Sequence, residues 1–358
     1  MKASKYLSIV QKNPRYRVNY NPIYAILEGL YVQKSSEELQ HKYLINEIIN
    51  EELTKDFKIG GHPDYDYLLN EIKEEKDFYN ENNQVANVKL CSLFIDLRNF
   101  TKRALFVQDP GIETIQEIAK LKQKAISTWI KLARYYQGHI HSITGDGLMV
   151  LIGGKKPEDE DEWTIGARAF LIALRVLESA DFLNDELKQT LIEKGKESYA
   201  TNSHNLLNIK VGIEYSPETL MNPQGVIVNI NGEKKPVGEV KATAFEIDFS
   251  AKLLGYYNDA EKKLDGSPKY GRILLFGEKY KELMDFNDEI DVVYLSEYSR
   301  QMFDTTQTRK LYYMDCKELK YNIITLEDVA KKCNVYNASE TAKNVSINIA
   351  REEKIQHG

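Results

Sequence analysis

Two short segments constrain this chain more than any other feature. They are Phe94-Ile95-Asp96-Leu97-Arg98-Asn99-Phe100-Thr101 and, about fifty residues later, Thr144-Gly145-Asp146-Gly147. Each ends an apolar, β-rich run and delivers one aspartate. Val88 to Ile95 reads as a buried strand, and His139–Ile143 and Leu148–Ile152 read as two strands meeting at Gly145-Asp146-Gly147. An Asp-Gly pair between two apolar runs is a strong local signal for a tight hairpin. Singly, each aspartate is ordinary: Asp146 suits a turn and Asp96 suits a helix cap. Together, one carboxylate at a strand end and one on a hairpin tip lie side by side if the strands are neighbours. Paired carboxylates offer the all-oxygen surroundings that Mg²⁺ or Mn²⁺ prefers.

Composition narrows the setting. The chain has 358 residues, 42% apolar and 28% charged, enough for a catalytic-sized domain with additions at both ends. No apolar run reaches the length of a membrane span, and Met1-Lys2-Ala3-Ser4-Lys5-Tyr6 has no apolar signal core. Three unrelated cysteines, Cys91, Cys316 and Cys333, suggest neither disulfides nor a zinc site. The expectation is a cytoplasmic protein. A net charge of −6 argues against a nucleic-acid partner.

The pattern predicts three parts. Residues 1–87 read as a helical N-terminal extension, 88–316 as the catalytic domain and 317–358 as a polar C-terminal extension. In the middle part, strands and helices alternate. Helices are expected over Ile112–Gln137, Trp163–Leu177, Leu183–Lys194 and Ala242–Tyr257. Further strands are expected over Asn208–Tyr215, Arg272–Phe276, Val292–Leu295 and Lys310–Met314, with a hairpin turning at Asn231-Gly232.

Residues 88–316 resemble the class III nucleotide cyclases, the adenylate and guanylate cyclase family. That family carries a Phe-x-Asp-Ile/Leu-x-Gly-Phe-Thr segment and a Gly-Asp hairpin, matched here by Phe94–Thr101 and Gly145-Asp146. The resemblance implies an α+β fold, a ferredoxin-like, palm-type sandwich. It also implies two Mg²⁺ or Mn²⁺ ions per site, held by Asp96, Asp146 and the backbone carbonyl of Leu97. The implied reaction is attack of a ribose 3′-hydroxyl on the α-phosphorus of a nucleoside triphosphate, releasing pyrophosphate. Family sites are built across a dimer, so a homodimer with composite active sites is expected.

Carried over residue by residue, the resemblance assigns further roles. The family's Asn and Arg, four apart on one helix, fall on Asp248 and Lys252. The backbone around Phe100 and Thr101 is expected to meet phosphate, and Arg300, in a segment read as a loop, to bind it as well. A family Arg falls on Pro217, so that contact is missing. The base-reading positions fall on Ser142, four residues before Asp146, and on Lys241, seven before Asp248. Neither matches the adenine or guanine pattern. A lysine offers only donors, which suits carbonyl oxygens rather than an amino group. The pocket therefore fits better the divergent bacterial branch that cyclises UTP or CTP in anti-phage defence, with UTP favoured over CTP. In that branch a separate effector protein receives the cyclic nucleotide. An adenylate cyclase making cyclic AMP and a nucleotide-binding module without turnover are the competing readings.

Overall fold

Apolar residues fall on both parities of the first strand, so it must be covered on both faces. Cys91, Leu93, Ile95 and Leu97 enter one buried cluster, while Leu90 and Phe94 enter another on the opposite side. The computed structural model describes residues 86–98, 100, 112–136, 138–153, 162–264, 270–284, 286 and 292–316. The expectations for residues 1–85 and 317–358, and for Asn99 and Thr101, lie outside these.

In chain order the elements are β1 (Ala86–Leu97), α1 (Ile112–Tyr135), β2 (His139–Thr144), β3 (Gly147–Gly153), α2 (Glu162–Glu193) and the single turn α3 (Glu197–Ala200). Then follow β4 (Ile209–Ile230), β5 (Glu233–Thr243), α4 (Phe245–Leu253), α5 (Tyr257–Lys262), β6 (Ile273–Gly277), α6 (Glu278–Met284), β7 (Val292–Met302) and β8 (Thr305–Asp315). The sheet runs β2-β3-β1-β4-β6-β8-β7, with β5 pairing the outer part of β4. Its first four strands form a βαββαβ unit in the order 2-3-1-4, all antiparallel, which is the ferredoxin-like arrangement. The strands β6, β8 and β7 extend it, and β4 with β6 is a parallel pair.

Helices cover both faces, giving an α+β palm-type sandwich as expected. Trp129 and Leu132 of α1 and Phe170 and Ile172 of α2 pack with Leu93, Ile95, Val150 and Ile213. On the other face Ile247 of α4 packs with Leu90, Leu151 and Met221, and Phe249 and Leu253 pack with Ile273, Leu275 and Leu311. The sheet is thus the middle layer, and α4 lies on the face that carries Phe94 and, two residues on, Asp96.

Several boundaries differ from the sequence reading. The two helices expected over 163–177 and 183–194 are one helix of 32 residues. Polar residues that look like an interruption are satisfied inside the fold. The buried Arg175 Nη1 donates to Glu178 Oε2 at 2.6 Å, and Asn184 exchanges hydrogen bonds with the Leu207 backbone at 2.9 and 2.6 Å. Ala242 and Thr243 end strand β5 instead of starting a helix. Tyr298–Gln301, read as a loop, belong to β7, in a hairpin whose turn residue Phe303 has a φ of +49° and lacks the usual glycine. The Asn231-Gly232 hairpin is present, with both residues at positive φ as a two-residue turn requires.

One glycine sets the height of α4 above the sheet. A Cβ at Gly212 of β4 would lie 2.9 Å from the Ser250 carbonyl oxygen and 3.1 Å from Leu253 Cβ. Gly212→Ala is expected to cost about 1–3 kcal/mol, the usual range for overpacking. Urea unfolding would measure this, and an unchanged midpoint would show that α4 yields freely.

Candidate functional site

The aspartate pair is assembled by strand pairing. Asp96 near the end of β1 pairs in register with Gly147 of β3 and with Lys210 of β4, so Asp146 stands one residue from its partner. The hairpin tip can come this close because residue 147 is glycine. A Cβ there would sit 2.7 Å from the Ile95 carbonyl oxygen and 3.4 Å from Asp96 Oδ1. The Asp96 carboxylate accepts the Leu97 N–H and forms a 2.5 Å ion pair with Lys210 Nζ. Its pKa is nevertheless raised above the usual carboxylate value. Burial is the main cause, Lys210 opposes it, and the negative charge of Asp146 adds to it.

That balance tests whether a divalent cation suits the residues. Two half-buried carboxylates repel each other, one already holds an ammonium group, and the donors are oxygens only. A further positive charge would relieve the repulsion, so the set fits Mg²⁺ or Mn²⁺. Among the described residues no group of three or more His, Cys, Asp or Glu side chains forms a metal cluster.

The remaining sequence candidates come together elsewhere on the same sheet face. A cavity of about 580 Å³ is lined by Ser142 of β2, Lys241 of β5, Asp248 and Lys252 of α4, and Arg300 of β7. Asp248 and Lys252 share a helix face at i and i+4. Arg300 Nη1 donates to Asp248 Oδ2 at 2.8 Å. Phe94, His141, Met149 and Tyr298 complete much of the wall, and none of them was expected from the sequence to be a site residue. Neither Asp96 nor Asp146 lines this cavity. Phe100 is buried in the core beneath the sheet, so its side chain anchors the chain and any phosphate contact there falls to the backbone. Thr101 lies outside the described residues.

Two sets of contacts hold α4 in place. A hydroxyl relay runs from Ser92 Oγ to Ser250 Oγ at 2.7 Å, and Ser250 donates in turn to the Ile247 carbonyl at 2.7 Å. From the β7–β8 hairpin, Arg309 approaches Glu246 at 3.4 Å and lies over the Phe245 ring, while Tyr298 stacks on Phe249. The end of β1 is tied to α5 by an Arg98–Glu261 ion pair at 2.5 Å, with the guanidinium over the Tyr257 ring. Lys210 and Arg309 could have been suspected only once strand neighbours were known, because their partners Asp96 and Glu246 lie far away in the sequence.

No family model matches the chain. It is 26% identical over 260 residues to a protein of Staphylococcus aureus named cytidylate cyclase, covering 69% of this chain and 51% of that protein. The chain therefore spans about half the length of this curated relative. Similar solved structures include the guanylyl cyclase Cya2, at 15% identity and TM-score 0.41 over 64% of this chain and 92% of that one. A bacterial light-regulated adenylyl cyclase gives 14% and 0.43 over 72% and 57%, and the adenylyl cyclase CyaB from P. aeruginosa gives 15% and 0.39 over 64% and 95%. Among the described residues no helix is long and apolar enough to cross a membrane.

Proposed function

We propose that this protein is a nucleotide cyclase of the class III type, converting a pyrimidine nucleoside triphosphate, UTP or CTP, to its 3′,5′-cyclic nucleotide and pyrophosphate. The observation that carries this reading is the convergence of Ser142, Lys241, Asp248 and Lys252 on one cavity, on the sheet face that also carries the Asp96–Asp146 pair. A binding fold needs only the cavity; the carboxylate pair adds a place for the triphosphate's cations.

Asp96 and Asp146, with the Leu97 carbonyl, would hold the Mg²⁺ or Mn²⁺ ions. When bound, these supply charge neutralisation at the triphosphate and acidity at the ribose hydroxyl. The residues of the chain do the rest. Lys252 neutralises charge growing on the α-phosphoryl oxygens as the 3′-oxygen–phosphorus bond forms and the bond to pyrophosphate breaks. Arg300, steered by Asp248, adds a planar guanidinium to the same wall. Lys241 donates to a carbonyl of the base. Because the carboxylate pair does not line the cavity, two copies of the chain would complete each other's sites. The product would act on a separate effector protein, as the resemblance to the anti-phage branch suggests.

The base is the finer part of the proposal. The donor-only lysine supports a pyrimidine, and the name of the Staphylococcus aureus relative supports CTP, whereas two carbonyls on uracil favour UTP. A second reading, an adenylate cyclase making cyclic AMP, draws on the cavity's size, which leaves room for a purine. Incubation of the purified protein with ATP, GTP, CTP and UTP separately, with Mn²⁺ and product identification by mass, tests all of these. A cyclic pyrimidine nucleotide is the expected product. Cyclic AMP alone would establish the second reading, and no product from any of the four would support a binding module without turnover.

A further inference from the structure

Consecutive residues of a regular strand point to opposite faces, yet His141 and Ser142 both line the cavity. The strand pairing explains how. Ile140 pairs with Val150 and Ser142 pairs with Met149, so one step on β3 is matched by two on β2, and His141 is the extra residue of a β-bulge. At a bulge, two residues oppose one partner, the strand bends locally and a side chain is re-aimed. Ile140 and Val150 stay in the core beneath the sheet, while His141 and Ser142 join Met149 on the face under α4. The imidazole is buried: His141 is 3% exposed, and its ring lies 6.2 Å from that of the buried His139.

The chemistry of the wall gives this placement a purpose. Lys241 supplies donors only. The Asp248 carboxylate already accepts from Arg300. An imidazole with one proton offers one donor and one acceptor, and a serine hydroxyl offers both. The pairing edge of uracil presents O4, N3–H and O2; that of cytosine presents the 4-amino group, N3 and O2. Each pyrimidine therefore brings one donor function beside two acceptors, the central N3–H of uracil or the terminal 4-amino group of cytosine, and it needs an acceptor from the protein beside several donors. We propose that His141, turned into the cavity by the β2 bulge, is the base-reading residue that accepts this N–H, with Lys241 and Ser142 donating to its neighbours. The inference rests on the cyclase reading above and deepens it: selection by this chain lies in a bulged histidine next to the position that the sequence singled out.

The test compares His141→Leu, which keeps the bulk but removes both hydrogen-bonding nitrogens, with His141→Gln, which keeps an acceptor and a donor. For the wild type's preferred pyrimidine triphosphate, His141→Leu is expected to raise KM by about tenfold or more, the loss usual when a buried polar group is left unpaired. Its kcat should change less than KM, its discrimination against ATP should fall, and His141→Gln should recover most of both. An unchanged KM and base preference in His141→Leu would overturn the proposal. Should the leucine variant lack a cooperative melt, the wild type decides. The His141 imidazole proton resonances, assigned by their loss in His141→Gln, are followed during titration with α,β-methylene UTP and CTP. A saturable shift of His141 is expected with at least one analogue, and no shift at saturation would overturn the proposal. If the wild type neither turns over nor binds any nucleotide, the cyclase reading itself fails and takes this inference with it. Turnover with indifferent His141 variants removes the inference alone.

Discussion

Asp96→Asn is expected to lower cyclic-nucleotide formation by at least about 10³-fold, a loss of about 4 kcal/mol in transition-state stabilisation. The same variant should melt at or above the wild-type temperature. The two expectations have one cause. Burial and the charge of Asp146 disfavour the Asp96 carboxylate more than Lys210 favours it, so its pKa is raised in the folded chain. A carboxylate with a raised folded pKa weakens folding as pH rises through that value, because the folded state holds the proton more tightly than the unfolded chain does. At neutral pH the ion is therefore a cost to the fold. Asparagine removes that cost while keeping the shape and an acceptor for the Leu97 N–H. Sites that bind cations commonly carry such a burden. Product assays with Mn²⁺ beside thermal melts at pH 7.5 measure both effects. Turnover within tenfold of wild type would remove Asp96 from the reaction, and a strongly lowered melting temperature would make it a structural residue paired with Lys210.

Much of the architecture was readable because its signals are local. The Asp-Gly hairpin, the Asn231-Gly232 turn and the apolar run of β1 each specify their own geometry, and the structure has all three. The single helix 162–193 reads as two in the sequence because Glu178, Ser179 and Asp181 look like a polar break when the partners of Glu178 and Ser179 are not in view. The β7–β8 hairpin was missed because its turn uses Phe303 where a glycine would have announced it. The site shows the same divide. The resemblance to the cyclases, carried over residue by residue, put forward Ser142, Lys241, Asp248 and Lys252, and these line one cavity with Arg300. His141 gave no sign, since strict alternation would have turned it away from Ser142. Only the register of β2 against β3 reveals the bulge. Lys210 was equally silent, as its meaning comes from lying opposite Asp96 across a strand pair.

Beneath α4, Glu214 provides the second large effect, this time on stability against pH. Its side chain is fully buried on β4, one strand residue beyond the glycine-lined approach of Ile213 and Gly212. Oε1 accepts the N–H of Tyr215 at 2.9 Å and that of Tyr280 at 2.7 Å. Oε2 has no partner and fills the space where a side chain at Gly277 would begin, a Cβ there falling 1.7 Å away. Burial pushes the pKa up from 4.5 to about 8; the two N–H groups oppose this, Glu246 adds to it and Arg309 lessens it. Glu214 is therefore a neutral acid at pH 7. The folded state binds a proton that the unfolded chain releases near 4.5, so stability falls between roughly pH 4.5 and 8, by up to about 1.4 kcal/mol per pH unit. Glu214→Gln keeps an acceptor for both N–H groups and carries no charge at any pH. Its stability is expected to match wild type near pH 5 and to exceed it by a few kcal/mol at pH 9, or roughly 5–10 °C in melting temperature. Melting curves of both proteins across pH 5–9 measure the difference directly. A gap that widens with pH and levels off above about 8 would establish a protonated Glu214 under the helix that carries Asp248 and Lys252. Parallel curves would mean that the carboxyl ionises without cost, so that water or a shift of α4 reaches it.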